Sequence, residues 1–180
     1  AAPVLLGFLV RHLAARGITC PQPVKTRAGD TLGEVCGRPA AIVTFLDGMW
    51  MRRADAKHCA AVGEALAKLH LAGKDFKLRR ANALSVAGWR PLFESCADRV
   101  DNVQHAMAET IRHELDALET AWPRGLPEGV IHADLFPDNV FFLGDRLSGV
   151  IDFYFACNDL LAYDLAIGLN WPRISSGASG

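Results

Sequence analysis

The sequence predicts an α+β protein, mostly helical, with one β-hairpin in its last third and a helix plus short antiparallel strands near its start. Three observations predict this. Apolar residues recur at helical spacing over residues 4–13 and again over 59–69. Two short runs rich in Val, Ile and Phe, residues 140–143 and 147–151, are separated only by Gly144-Asp145-Arg146. Gly and Pro punctuate the text between these segments.

Pro3 suits the first turn of a helix, where its missing N–H is no loss, and Val4, Leu5, Phe8, Leu9, His12 and Leu13 keep helical spacing until Gly17 supplies a stop. One face of this helix is expected to lie on a small sheet. Residues 24–45 hold short β-favouring runs, broken at Ala28-Gly29-Asp30 and at Gly37-Arg38-Pro39, that end in the apolar stretch 40–46 and an Asp47-Gly48 turn. Asp55 is placed to cap a helix over residues 56–71 that Gly73 ends, with Cys59, Val62, Leu66 and Leu69 on its apolar face. His70 follows that stripe and, with no carboxylate or nucleophile adjacent, reads as structural. A further helical region starts near Pro91 and carries Leu92, Phe93, Cys96, Val100, Met107, Ile111, Leu115 and Leu118 toward Trp122-Pro123, as one helix or as two broken near Asn102. The last helix is expected from about Asp164 through Leu165, Ala166, Ile167 and Leu169. After Asn170 the text changes to Trp171-Pro172-Arg173-Ile174 and then SSGASG, small and polar, for which disorder is expected.

Composition narrows the function classes. The chain has 180 residues, 51% of them hydrophobic and 22% charged, with a formal net charge of -1, which is ordinary for a globular protein. Its basic residues are scattered apart from pairs such as Arg52-Arg53 and Arg79-Arg80, so no nucleic-acid partner is expected. No apolar run approaches the roughly 20 residues that a membrane helix needs. The start lacks a basic leader, so no membrane partner and a cytoplasmic location are expected. Cys20, Cys36, Cys59, Cys96 and Cys157 contain no C-x-x-C pair, which argues for reduced thiols over a zinc site or a disulfide framework.

The chemistry gathers around the hairpin. The residue entering its first strand and the residue leaving its second lie at the same end, so Asn139 and Asp152 should be neighbours. Pro137 keeps Phe136 out of the helical region, so residues 132–139 should form a fixed loop that carries Asp134. An Asn amide oxygen beside a carboxylate suits Mg²⁺, a hard cation that takes one or two protein oxygens and completes its shell with phosphate and water. Asp134 then remains to orient an attacking hydroxyl and accept its proton. Each residue alone also suits a plain role, Asp138 and Asn139 in a turn and Asp152 as a strand-end cap. Together, at this spacing, they have the layout of a phosphoryl-transfer site.

The segment resembles the catalytic and metal-binding loops of the aminoglycoside phosphotransferase and choline kinase-like superfamily, relatives of the protein kinases. The pattern H-x-D-x-x-x-x-N is met by His132, Asp134 and Asn139, and an I-D-F segment by Ile151, Asp152 and Phe153. The longer text is similar to the branch of that superfamily that phosphorylates homoserine: CPQPV at 20–24, RPAAIVTFLDG at 38–48, ALAKLHLAG at 65–73 and NALSVAGWRPLF at 82–93. The likeness runs over roughly residues 5–170. It implies a protein-kinase-like catalytic lobe over residues 48–170, a remnant of the N-terminal sheet lobe over 1–47 and an aberrant or disordered tail over 171–180. It implies ATP and Mg²⁺ as cofactors, Asp134 as the catalytic residue and Asn139 and Asp152 as metal ligands. Thr44, Phe45 and Leu46 would hold adenine through their backbone at the hinge, His132 and Phe153 would support the loops, and Asp164 would cap or brace the catalytic loop. Homoserine is the favoured acceptor, with an aminoglycoside or choline-type alcohol as the alternative, and Arg79, Arg80, Asn82 and Trp89 are candidates to help bind it or are a plain surface loop.

The resemblance also implies parts that this text lacks. No G-x-G-x-x-G appears, Gly29, Gly33 and Gly37 follow the first helix, Lys25 is the first lysine, and no Asp or Glu precedes Asp30. The expectation is an incomplete kinase, truncated at both ends and inactive as it stands. A reading of another class is a non-catalytic fragment that self-associates through uncovered apolar faces of residues 4–13 and 165–169.

Overall fold

The computed structural model describes residues 2–169, with side chains from Leu6 onward; residues 170–180, and the tail expected there, lie outside the described residues. The chain divides into two compact units, Ala1–Arg80 with Pro127–Gly180, and Ala81–Leu126.

In the first unit, helix α1 (Ala2–Ala14) buries Leu9, Val10 and Leu13. It packs on α2 (Ala56–Gly73) and on the short 3-10 turn Phe153–Phe155. The expected seat on a small sheet is therefore replaced by helix and turn; from Leu6 onward Leu9, Val10 and Leu13 of this stripe are buried, whereas Phe8, and Leu165 and Leu169 of the last helix, are exposed. Strands β1 (Gly33–Val35) and β2 (Arg38–Ala40) pair antiparallel about Cys36 and Gly37, whose φ values of 52° and 73° make the left-handed turn that suits strand twist. The break thus falls one residue before the expected one, and Pro39 sits inside a strand of this two-stranded ribbon, where a missing N–H is tolerated. Beyond Ala40 the apolar stretch pairs with residues 22–24 around the Pro23–Val43 bridge, and leaves Ile42 and Phe45 exposed.

Asp55 caps α2 by accepting the N–H groups of Lys57 and His58 at 2.9 and 3.0 Å. The buried stripe is His58, Val62, Leu66, Leu69 and Gly73, so His58, not the exposed Cys59, opens the core face. His58 lies edge-on to Phe142, with ring centroids 4.8 Å apart. Strand β3 (Glu128–Ile131) pairs antiparallel with β6 (Cys157–Leu160), Ile131 opposite Cys157. The sequence of β6, Cys-Asn-Asp-Leu, carries no strand pattern, and tertiary pairing makes it extended. Helix α5 (Leu161–Gly168) follows at once, three residues earlier than expected. The hairpin forms as predicted from β4 (Val140–Leu143) and β5 (Arg146–Val150), with Val140 opposite Val150 and a bulge at Ser148 between the Phe141 and Phe142 pairings. One core joins α1, α2, β3 and the hairpin through Leu13, Leu66, Leu69, Val130, Val140, Phe142 and Phe153.

The second unit holds α3 (Val86–Glu94), the 3-10 turn Val100–Asn102 and α4 (Met107–Ala121), so the helical region is broken near Asn102. Helix α3 starts five residues before Pro91. Phe93, Ala108 and Leu115 form its core, and Arg90 joins α3 to α4 by bonds to Asp116 and Glu119.

Candidate active site

The loop between β3 and β4 is held by its own sequence and by one distant carboxylate. Locally, Phe136 N–H donates to the Asp134 carbonyl at 2.8 Å, and Pro137 opens the 3-10 turn Pro137–Asn139 that delivers the chain into β4. The residues 132–139 are thus a fixed loop ending in one short turn. From α5, Asp164, fully buried, accepts the backbone N–H groups of His132 at 2.8 Å and Ala133 at 2.9 Å, and is 3.0 Å from His70 Nε2. Ala133 has a φ of 64°, a left-handed conformation that costs a non-glycine residue roughly 1–2 kcal/mol and that these bonds hold in place. Leu160 is the N-cap of α5, and Asp164, four residues on, bonds the backbone of the catalytic loop. His70, which has no acidic neighbour in sequence, meets a carboxylate 94 residues away.

His132 is fully buried, its Nε2 2.8 Å from the Ile151 carbonyl and its ring against Phe153 at a centroid distance of 4.7 Å. That contact ties the loop to the end of β5. Burial holds the imidazole below its ordinary pKa, outweighing the nearby Asp164, Asp134 and Asp152 charges that act the other way.

At the open end of the hairpin, Ile151 N–H donates to the Asn139 carbonyl at 2.9 Å, so Asn139 and Asp152 do lie together. The Asn139 amide nitrogen donates to the Asp134 carbonyl at 2.7 Å and to Asp134 Oδ2 at 3.0 Å. Both partners are acceptors, which fixes the amide orientation and turns Oδ1 away from Asp134. Asp152 stands at φ 57°, its Oδ1 accepting the Tyr154 N–H at 3.3 Å. Two oxygens from an amide and a carboxylate are a donor set that fits a hard divalent cation. Burial raises the Asp134 carboxyl above the ordinary range, with Asp152 and Asp138 adding to it and His132 and Asn139 opposing it.

Asp134, Asp138, Asn139 and Asp152 line an open cleft of about 1170 Å³ whose other lining residues include Trp50, Met51, Arg52 and Arg53. The segment that bears these four carries no motif in the sequence and was missed there. Thr44 joins the strand pairing by donating its N–H to the Gln22 carbonyl at 2.9 Å and accepting the Gln22 N–H on Oγ1, and Leu46 packs beside Gly149 of β5. Phe45 projects into solvent. Of the four other acceptor candidates, Arg80 donates from Nη1 to the Tyr154 and Ala156 carbonyls, and Trp89 donates to the Leu84 carbonyl and packs edge-on against the Trp122 ring.

This combination of helices, hairpin and β3–β6 pair is the protein-kinase-like fold of the small-molecule phosphotransferases. An aminoglycoside phosphotransferase from Streptomyces rimosus matches it with a TM-score of 0.71 at 18% identity, over 98% of this chain and 68% of its own. An amicoumacin kinase solved with AMP-PNP and Ca²⁺ matches with a TM-score of 0.68 at 15% identity, over 91% of this chain and 51% of its own. The chain belongs to the Phosphotransferase enzyme family (APH), whose family model matches residues 8–179. Among curated proteins it is similar to the homoserine kinase of Afipia carboxidovorans, 67% identical over 90% of this chain and 50% of the relative. The homoserine kinases of Nitrobacter hamburgensis, 66% over 93% and 51%, and of Rhizobium etli, 62% over 98% and 55%, are similar too. The chain spans about half the length of these relatives.

Proposed function

We propose that this chain carries the catalytic portion of an ATP-dependent kinase that phosphorylates the side-chain hydroxyl of homoserine, forming O-phosphohomoserine on the way to threonine. The observation that carries the reading is the Asn139 amide bonded to Asp134 at the mouth of a hairpin whose other strand ends in Asp152. The names of the curated relatives, at 62–67% identity, support homoserine as the acceptor.

In this reading Asp134 orients the acceptor hydroxyl and takes its proton as the new O–P bond forms and the bond from the γ-phosphorus to the departing ADP oxygen breaks, and its raised pKa makes it a stronger base than an exposed aspartate. The Asn139 amide holds the Asp134 carboxylate in one rotamer. Asn139 Oδ1 and Asp152 would hold Mg²⁺, which when bound neutralises charge on the phosphates of the nucleotide. Backbone groups of residues 44–46 take the adenine, with His132, Phe153 and Asp164 keeping the two loops in register. We place the enzyme in the cytoplasm with its cysteines as free thiols.

The test is ATP consumption with Mg²⁺ and homoserine, followed by ADP release and detection of the phosphate ester, on this chain and on the full-length gene product. Asp134→Asn is expected to lower turnover by about 10²- to 10⁴-fold, the usual share of a general base, with Mg-ATP affinity little changed. Unchanged turnover in that variant refutes the role of Asp134. An acceptor panel of aminoglycosides and choline that outperforms homoserine refutes the acceptor.

A further inference from the structure

The segment after the Asp47-Gly48 turn is pinned at both ends. Met49 exchanges backbone hydrogen bonds with Phe142 of β4 at 3.0 and 2.9 Å, and Asp55 caps α2. Between these anchors Trp50, Arg52 and Arg53 line the same cleft as Asp134, Asn139 and Asp152. The Arg52 guanidinium carbon lies 5.9 Å from the centroid of the Trp50 ring, a cation–π contact that holds the side chain without using its N–H groups. Among the described residues neither Arg52 nor Arg53 has a carboxylate partner, whereas Arg16 and Arg90 both do.

We propose that Arg52 and Arg53 form a carboxylate subsite for the acceptor, so that the substrate class is a small zwitterionic amino-acid alcohol and not a cationic one. The inference rests on the kinase reading above and names the residues that select its acceptor. The cleft has two signs of charge from two chain segments, acids from the loop and hairpin and bases from residues 52–53. A hydroxy amino acid answers both, offering a carboxylate to the planar guanidinium forks, its hydroxyl to Asp134 and its ammonium to Asp138, the cleft carboxylate that the kinase reading leaves without a role. An amino sugar or a choline-type alcohol has no anionic group to pair with the arginines and brings its positive charge against theirs. Nucleotide phosphates share the anion chemistry, and kinetics separates the two sources.

The experiment compares the full-length gene product with Arg52→Gln, Arg53→Gln and the double variant. KM is measured for homoserine, for its carboxylate-free analogue homoserinol, and for ATP. Loss of charge-assisted bonds to a carboxylate raises the homoserine KM by about 10- to 100-fold in the double variant. The wild-type preference for homoserine over homoserinol then disappears, and the KM for ATP stays within about twofold. An ATP KM that rises in step places the pair on the phosphates and overturns the proposal. A homoserine KM that does not move overturns it too, while wild-type turnover of homoserine leaves the kinase reading standing. If the wild-type protein phosphorylates no alcohol at all, the kinase reading fails and this one falls with it.

Discussion

Replacing Asp164 with Asn keeps the shape of the side chain and changes only what its two terminal atoms can accept. In the wild type Oδ2 takes the His132 N–H at 2.8 Å and faces His70 Nε2 at 3.0 Å, and Oδ1 takes the Ala133 N–H at 2.9 Å. An amide has a single oxygen, so its NH₂ must stand against at least one of these donors. One charge-assisted bond is lost and one N–H is left unmet in a site with no solvent access, a loss of about 2 to 3 kcal/mol. Asp164→Ala removes all three partners and leaves a gap, at about 4 to 5 kcal/mol. At roughly 2 to 4 °C per kcal/mol for a chain of this size, Asp164→Asn should melt about 4 to 12 °C below wild type. Circular dichroism melts and urea titrations of this chain measure that directly, without any need for turnover. Hydrogen exchange adds a local reading, because the His132 and Ala133 amides lose their acceptor and should exchange faster than those of α2. An Asn variant within about 0.5 kcal/mol of wild type, with both amides still protected, would refute the clamp.

Two further outcomes follow from the same geometry. At Gly48, with a φ of 134°, an added Cβ would press on Ser148 Oγ and stand 3.0 Å from the Phe142 carbonyl oxygen. Gly48→Ala should therefore cost about 1 to 3 kcal/mol and weaken the Met49–Phe142 pairing, read as a lower urea midpoint. Burial holds His132 below its ordinary value of 6.5, so the unfolded chain binds that proton more readily than the folded protein does. The stability is whole above pH 6.5 and declines as the pH falls from there toward the lowered folded value. In urea titrations between about pH 7.5 and 5 the decline should be shallower in His132→Gln, and equal slopes would contradict the assignment.

The hairpin and its three polar residues were legible because their rules are local. The two β-favouring runs need only the Gly144-Asp145 turn between them to pair, and pairing alone brings Asn139 beside Asp152. The capped start of α2 was legible for the same reason, since Asp55 bonds groups two and three residues away. The register of its buried face was not. Cys59 and His58 fit the apolar stripe almost equally by spacing, and only the position of the Phe142 ring brings His58 inward.

Strand β6 exists because Glu128–Ile131 offers it a partner; its own four residues have no alternation to announce it. The first turn of α5 is a consequence of where that strand ends, and it carries Asp164 to the backbone of residues 132 and 133 and to His70. The sequence by itself determined the local chemistry, a loop with Asp134 and Asn139 feeding a hairpin that ends in Asp152. The resemblance pointed to Asp164 as a brace for that loop, and tertiary structure decided how it is held, through the His132 and Ala133 N–H groups and His70, and brought Arg52 and Arg53 into the same cleft. The reason is physical: turns, caps and hairpins are satisfied within a few residues, whereas a buried carboxylate finds its donors only where packing of distant segments delivers them.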